Sequence, residues 1–125
     1  MKSFTDMEVW KKSRSIRSDI SELVKSFPAE EKYRLTDQII RSSRSIGNNI
    51  AEGHGRFNHI DSARFLVTAR GSLIETMDHL VIALDERYIN EEIFDKFKDD
   101  CEECLRMLNG YIKYLRSQTT KPTNL

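Results

Sequence analysis

From Phe94 to Leu115 the apolar positions fall at Phe94, Phe97, Cys101, Cys104, Leu108, Tyr111 and Leu115, spaced alternately by three and four without a break. This is a heptad seam. Sustained over three heptads, it calls for knobs-into-holes packing against another helix rather than a broad globular face. A chain that ends this way needs helical partners, and the rest of the sequence supplies them.

Thr5 followed three residues later by Glu8 has the reciprocal capping pattern of a helix start. Val9, Ile16, Ile20, Leu23 and Phe27 then form one helical stripe, which Pro28 ends because its ring disfavours helical geometry at Phe27. Leu35, Ile39, Ser43, Ile46 and Ile50 make a second stripe. It is expected to end near Gly53, where Gly53-His54-Gly55 tolerates the positive φ of a helix C-terminus. Asn58 is the N-cap of a third helix carrying Phe65 or Leu66, Ala69, Leu73, Met77, Leu80 and Leu84. Asn90 caps the fourth, with Glu91 and Glu92 at the positive end of its dipole. Four helices of about 20 residues or more on short turns predict an all-α, antiparallel up-down-up-down four-helix bundle. It is expected to span residues 4–116 as one domain, with 117–125 a polar, frayed tail containing Pro122.

Composition narrows the function. The longest apolar run, Leu80 to Leu84, is far below the roughly 20 residues that cross a bilayer, so no membrane segment is expected. Met1 to Met7 has no apolar stretch of a secretory signal, and two cysteines cannot build a secreted disulfide framework, so a cytoplasmic location is expected. The 20 basic and 20 acidic residues cancel, which argues against a dedicated nucleic-acid binder. The balance is uneven along the chain: residues 1–70 carry 13 basic and 9 acidic residues, a net +4, and the remainder is −4. Seven carboxylates lie between Glu91 and Glu103, where a phosphate backbone is unwelcome.

No nucleophile elbow, phosphate-binding glycine loop, dinucleotide fingerprint or HExxH motif occurs, and no catalytic residue or cofactor is expected. Cys101-Glu102-Glu103-Cys104 has the spacing of half a zinc site but lacks a second pair and lies on the heptad seam, so core packing is the better reading. His54, His59 and His79 do not form the paired Glu-x-x-His pattern of a di-iron bundle, and no metal is expected. Gly71 interrupts the third helix, and Ser43 and Gly47 are small positions on the second. The expectation is that these two helices cross closely and that Glu75 reaches Arg41 or Arg44. The recognition surface is the basic half, with Lys11, Arg14, Arg17, Arg41, Arg44 and Arg56 as its candidate RNA- or DNA-binding residues, beside Lys12, Arg64 and Arg70. Apolar residues beside the stripes, Val24, Ile40, Ile74, Val81, Ile93 and Ile112, are more than an isolated bundle needs and predict self-association.

The stretch from Gln38 to Arg56, QIIRSSRSIGNNIAEGHGR, resembles the signature of the four-helix-bundle proteins encoded in intervening sequences of bacterial 23S ribosomal RNA genes. The match rests on Gln38, Arg41, Ser45, Ile46, Asn49 to Gly53 and Arg56. Trp10, Phe27-Pro28 and Glu31 support it upstream, and Ala69 to Leu73 with Glu75 support it downstream. Gly47 stands where the family usually has proline, and Ser42 where alanine is common. The resemblance implies a bundle that assembles as a ring-shaped homopentamer, with Gln38, Asn49, Glu52, Gly53, Gly71 and Glu75 as structural motif residues. It implies no established enzyme activity. A branch related to the accessory protein of diversity-generating retroelements binds nucleic acid but looks strongly basic, unlike this neutral chain. The expected function is thus a non-enzymatic scaffold or weak RNA-binding module, the alternatives being a protein–protein adaptor and, further off, an enzyme.

Overall fold

The computed structural model describes residues 3–119 of the chain. Its first capping box lies two residues before the expected Thr5 and Glu8: the Ser3 side chain accepts the Thr5 N–H at 3.2 Å, and the Asp6 carboxylate accepts the Ser3 N–H at 3.2 Å. These two bonds close a short 3-10 turn, Phe4–Asp6, and the long helix α1, Glu8–Leu23, follows from Met7, which has no side-chain cap. Burial decides the entry angle instead. Met7 is inside the core, and Phe4 sets its ring edge-on to Trp10 at 5.3 Å.

Helix α2 spans Leu35–His54, α3 His59–Asp85 and α4 Glu91–Thr119, and among the described residues there are four long helices and no strand. Asn58 and Asn90 cap α3 and α4 as expected, accepting the N–H groups of Asp61 and Ile93 at 2.8 Å each. Helix α4 takes in Ser117 to Thr119, three residues that the sequence reading assigned to the tail; residues 120–125 lie outside the described residues.

The helices pack in a closed cycle, α1 on α2, α2 on α3, α3 on α4 and α4 on α1. Cross-helix bonds give their sense. Ser42 meets Thr76, Ser45 meets Ser72 and Gly53 meets Ser62, so α2 and α3 run antiparallel. The core holds one stripe from each helix, including Ile16 and Ile20, Ile39, Ile46 and Ile50, Leu66, Leu73 and Leu80, then Cys101, Cys104 and Leu108. Ile112, expected beside the α4 stripe, is also buried.

The glycines act differently from their sequence reading. Gly53 lies inside α2, Gly55 at its end has φ −80°, and among the described residues the one positive φ outside glycine belongs to Arg87 at 63°. No left-handed turn is needed after α2, because Ser62 Oγ donates to the Gly53 carbonyl at 2.7 Å and the Arg56 N–H reaches the same oxygen at 3.2 Å. Gly53 is required by space: a Cβ there would sit 2.7 Å from Leu66 Cδ2 and 3.0 Å from the Ser62 carbonyl. Gly47 faces α1 rather than α3, since a Cβ there would meet Ser13 and Trp10, whereas a Cβ on Gly71 would meet no other helix within 4 Å. Gly53→Ala should therefore destabilise the fold by about 1–3 kcal/mol through overpacking. Gly110→Ala, at an open position on α4, should stabilise it by up to about 1 kcal/mol. Urea unfolding followed by circular dichroism separates the two signs.

Candidate functional site: the α2–α3 polar seam and the basic face

The hydroxyl-bearing residues of the second and third helices meet along one seam, with Gln38, Glu52, Gly71 and Glu75 left exposed. Along α2 and α3, small polar side chains let the backbones approach and then satisfy one another: Thr76 Oγ1 lies 2.8 Å from Ser42 Oγ and 2.9 Å from the Ser72 carbonyl, and the Ser45 and Ser72 hydroxyls are 2.8 Å apart. Asn49 donates to the Ser45 carbonyl at 2.9 Å and to its hydroxyl at 3.0 Å. Such pairs matter because a buried hydroxyl left without a partner costs about 1–3 kcal/mol.

The charged motif residues do not meet across this seam. Glu52 pairs with Arg56 one turn on, at 3.2 Å, and the Arg56 guanidinium stacks 4.4 Å above the Phe65 ring of α3. Glu75 stays on its own helix, 3.5 Å from His79 Nε2, rather than reaching Arg41 or Arg44; Arg41 is 3.9 Å from Asp37, also one turn away. The reason is register. Ser42 pairs with Thr76, which spends the close approach of the two helices on hydroxyls and leaves the carboxylate on the outer rim. Gln38 is exposed one turn before Ser42. His79 is only 7% exposed, and among the described residues neither of its ring nitrogens has a hydrogen-bond partner. Its burial was not legible in the sequence, which offered only its i,i+4 relation to Glu75.

The basic candidates divide into two groups. Lys11 lies 3.2 Å from Glu8, and Arg14 lies over the Trp10 ring at 5.7 Å. Lys12 is drawn out of the recognition surface: it bridges α1 to α4 through Glu103 at 2.8 Å and Asp100 at 3.0 Å, and the hydrogen bond to Glu103 raises its pKa. Arg64 is 3.8 Å from Asp61, and Arg70 donates to Asn109 at 3.0 Å. Among the described residues Arg17 and Arg44 have no carboxylate within ion-pair distance. The exposed pairs are worth at most about 1 kcal/mol each, so they screen these charges without removing them.

Among the described residues no three His, Cys, Asp or Glu side chains gather as a metal site, and no helix is long and apolar enough to cross a membrane. Cys101 and Cys104 are free, fully buried thiols, each pushed up to about 12 by burial.

A four-helix bundle with a hydroxyl-lined α2–α3 seam, formed by a QIIRSSRSIGNNIAEG-type segment, defines the class. The chain belongs to the 23S rRNA-intervening sequence protein family, whose model matches residues 5–110. The crystal structure of a protein of unknown function from the S23 ribosomal protein family of Bacteroides thetaiotaomicron is similar, with 30% identity and a TM-score of 0.78. The likeness covers 84% of this chain and 98% of that one. No curated protein matches.

The two buried thiols make the fold's stability depend on pH. Their folded pKa lies above the ordinary value of 9.0, so the folded state retains protons that the unfolded state releases. Their contribution is complete below about 9 and is lost as pH climbs towards 12, so stability should decline across that window. At pH 8 maleimide should label neither cysteine until denaturant opens the core; rapid labelling of the folded protein would contradict the burial.

Proposed function

We propose that this protein is a non-enzymatic, self-assembling bundle, a homopentamer by its family resemblance, that acts in the cytoplasm as a scaffold. The observation that carries this reading is a set of apolar residues left outside a complete core. Ile74, Val81, Ile82 and Ile93 are exposed although every helix already buries its own stripe within the protomer. Large apolar groups in water are a standing cost that association removes. An adaptor for a different protein would use the same surfaces, and an enzyme would need convergent titratable groups in a cleft, for which the polar seam, built of mutually satisfied hydroxyls, is a poor substitute.

The second reading is weak, salt-sensitive RNA or DNA binding. It is favoured by Arg17 and Arg44, which have no carboxylate partner among the described residues, and by Arg14 on the Trp10 ring. Five copies of a +4 segment would present about +20, enough to attract a phosphate backbone despite the neutral total.

Light scattering on the purified chain should give a mass several times 14.6 kDa at micromolar concentration, and a protomer mass would end the scaffold reading. For the second reading, RNA titration at about 50 mM salt should show micromolar or weaker binding that collapses as salt rises. Reversal of Arg14 and Arg17 to glutamate should abolish it. Absence of any binding at that salt leaves the scaffold reading alone.

A further inference from the structure

The end of the bundle where α2 turns into α3 and α4 finishes carries three open hollows that run into one another. The first, of about 640 Å³, lies along the last turns of α2 and is bordered by Asn48 and Arg56. The second, of about 280 Å³, lies between Arg56 and Arg64. The third, of about 530 Å³, is lined by Ile60 and Val67 and lies between Arg64 on α3 and Arg116 on α4. Arg56 borders the first two and Arg64 the last two, so the hollows form one track with an arginine at each junction and Arg116 on its far side.

A track of this kind suits an extended chain with negative charge at intervals and flat groups between. The charge of α4 leaves that end open to it: seven carboxylates lie between Glu91 and Glu103, whereas Leu105 to Thr119 holds Arg106, Lys113 and Arg116 and no carboxylate. The two carboxylates that line the track, Glu52 and Asp61, lie 3.2 Å from Arg56 and 3.8 Å from Arg64. Exposed pairs of this sort are weak, and three arginines against two carboxylates hold a strand loosely. Phe57, next to Arg56 at the turn, is fully exposed, so its ring is open to solvent. An open aromatic ring beside arginines is what single-stranded nucleic acids stack on. The apolar residues offered for assembly, Ile74, Val81, Ile82 and Ile93, lie further along α3 and at the start of α4, and none lines the track.

We propose that this track binds single-stranded nucleic acid, with Arg56, Arg64 and Arg116 on its phosphates and an unpaired base stacked on Phe57. The proposal rests on the RNA- or DNA-binding reading and deepens it by naming a site and a single strand, because a base paired inside a duplex has no free face for Phe57.

The test follows, by anisotropy at about 50 mM salt, a fluorescent RNA of about ten nucleotides, alone and annealed to its complement. Circular dichroism and light scattering check the fold and mass of every variant. Wild type should bind the single strand more tightly than the duplex. Phe57→Ala should weaken single-strand binding about tenfold, the loss of one base–aromatic stack, and change duplex binding by less than about twofold, while Phe57→Trp should retain both. Arg64→Ala combined with Arg116→Ala should weaken binding and flatten its salt dependence by about two phosphate contacts. Three results overturn the track and leave the broader binding reading standing: Phe57→Ala binding the single strand like wild type, a duplex bound as tightly as the single strand, or polyglutamate bound as tightly as RNA. A changed mass for Phe57→Ala also overturns it, since Phe57 would then belong to a contact between copies. A wild type that binds no RNA overturns both.

Discussion

The bundle depends on α2 and α3 lying close enough for their hydroxyls to touch. Ser42 on Thr76, Ser45 on Ser72, and Ser62 on the Gly53 carbonyl tie the two helices at three successive levels, and at the last of these the glycine leaves no room for a methyl group. Each contact is modest by itself. Together they fix the register, because a slip of one residue would bury hydroxyls without partners, at about 1–3 kcal/mol apiece. Helix α3 also packs on α4, with Leu73 and Leu80 in the shared core, and Lys12 fastens α1 to α4 through Asp100 and Glu103.

Much of this was legible in the sequence, for identifiable reasons. The α4 heptads, the stripe positions on α1 and α2, and the asparagine caps are local signals that depend on 3.6-residue periodicity or on one side chain near a helix end. The structure reproduces them. Position 5 misled because Thr5 and Glu8 have the spacing of a capping box, yet Ser3 and Asp6 have it too, and the burial of Met7 favours the earlier pair. Glycine readings failed where the partner lies on another helix. Gly53 looked like a helix terminator and is a contact point, and Gly47 looked like a contact for α3 and serves α1. A single residue type announces a need for space, but only the packed structure says whose space it is.

The candidate site was legible as a list and not as an arrangement. Asn49, Glu52, Gly53 and Glu75 are separated by up to 26 positions, and the antiparallel sense of α2 and α3 decides which of them face the seam and which stay on its rim. What spacing could not supply was the division of labour within it. Serines and Thr76, unremarkable in a sequence, take the interior, while the charged residues that draw attention remain on the rim in pairs with their own helices. The same effect divides the basic residues: Lys12, indistinguishable in sequence from Lys11, is the one that the acidic run of α4 captures.

That capture changes the meaning of the chain's electrostatic asymmetry. A net +4 in the first 70 residues and −4 in the rest could be two separate surfaces, one attracting phosphate and the other repelling it. In the folded protomer the halves are interleaved around a closed cycle of helices, with α1 resting directly on α4, so part of the opposition is spent inside the bundle. The acidic run therefore has a structural use that needs no nucleic acid. Among the described residues Arg14 and Arg17 on α1 and Arg44 on α2 are left without a carboxylate partner, a smaller surplus on these two helices than their sequence charge suggests. A strong field would need repetition of that small surplus, which the proposed assembly would supply.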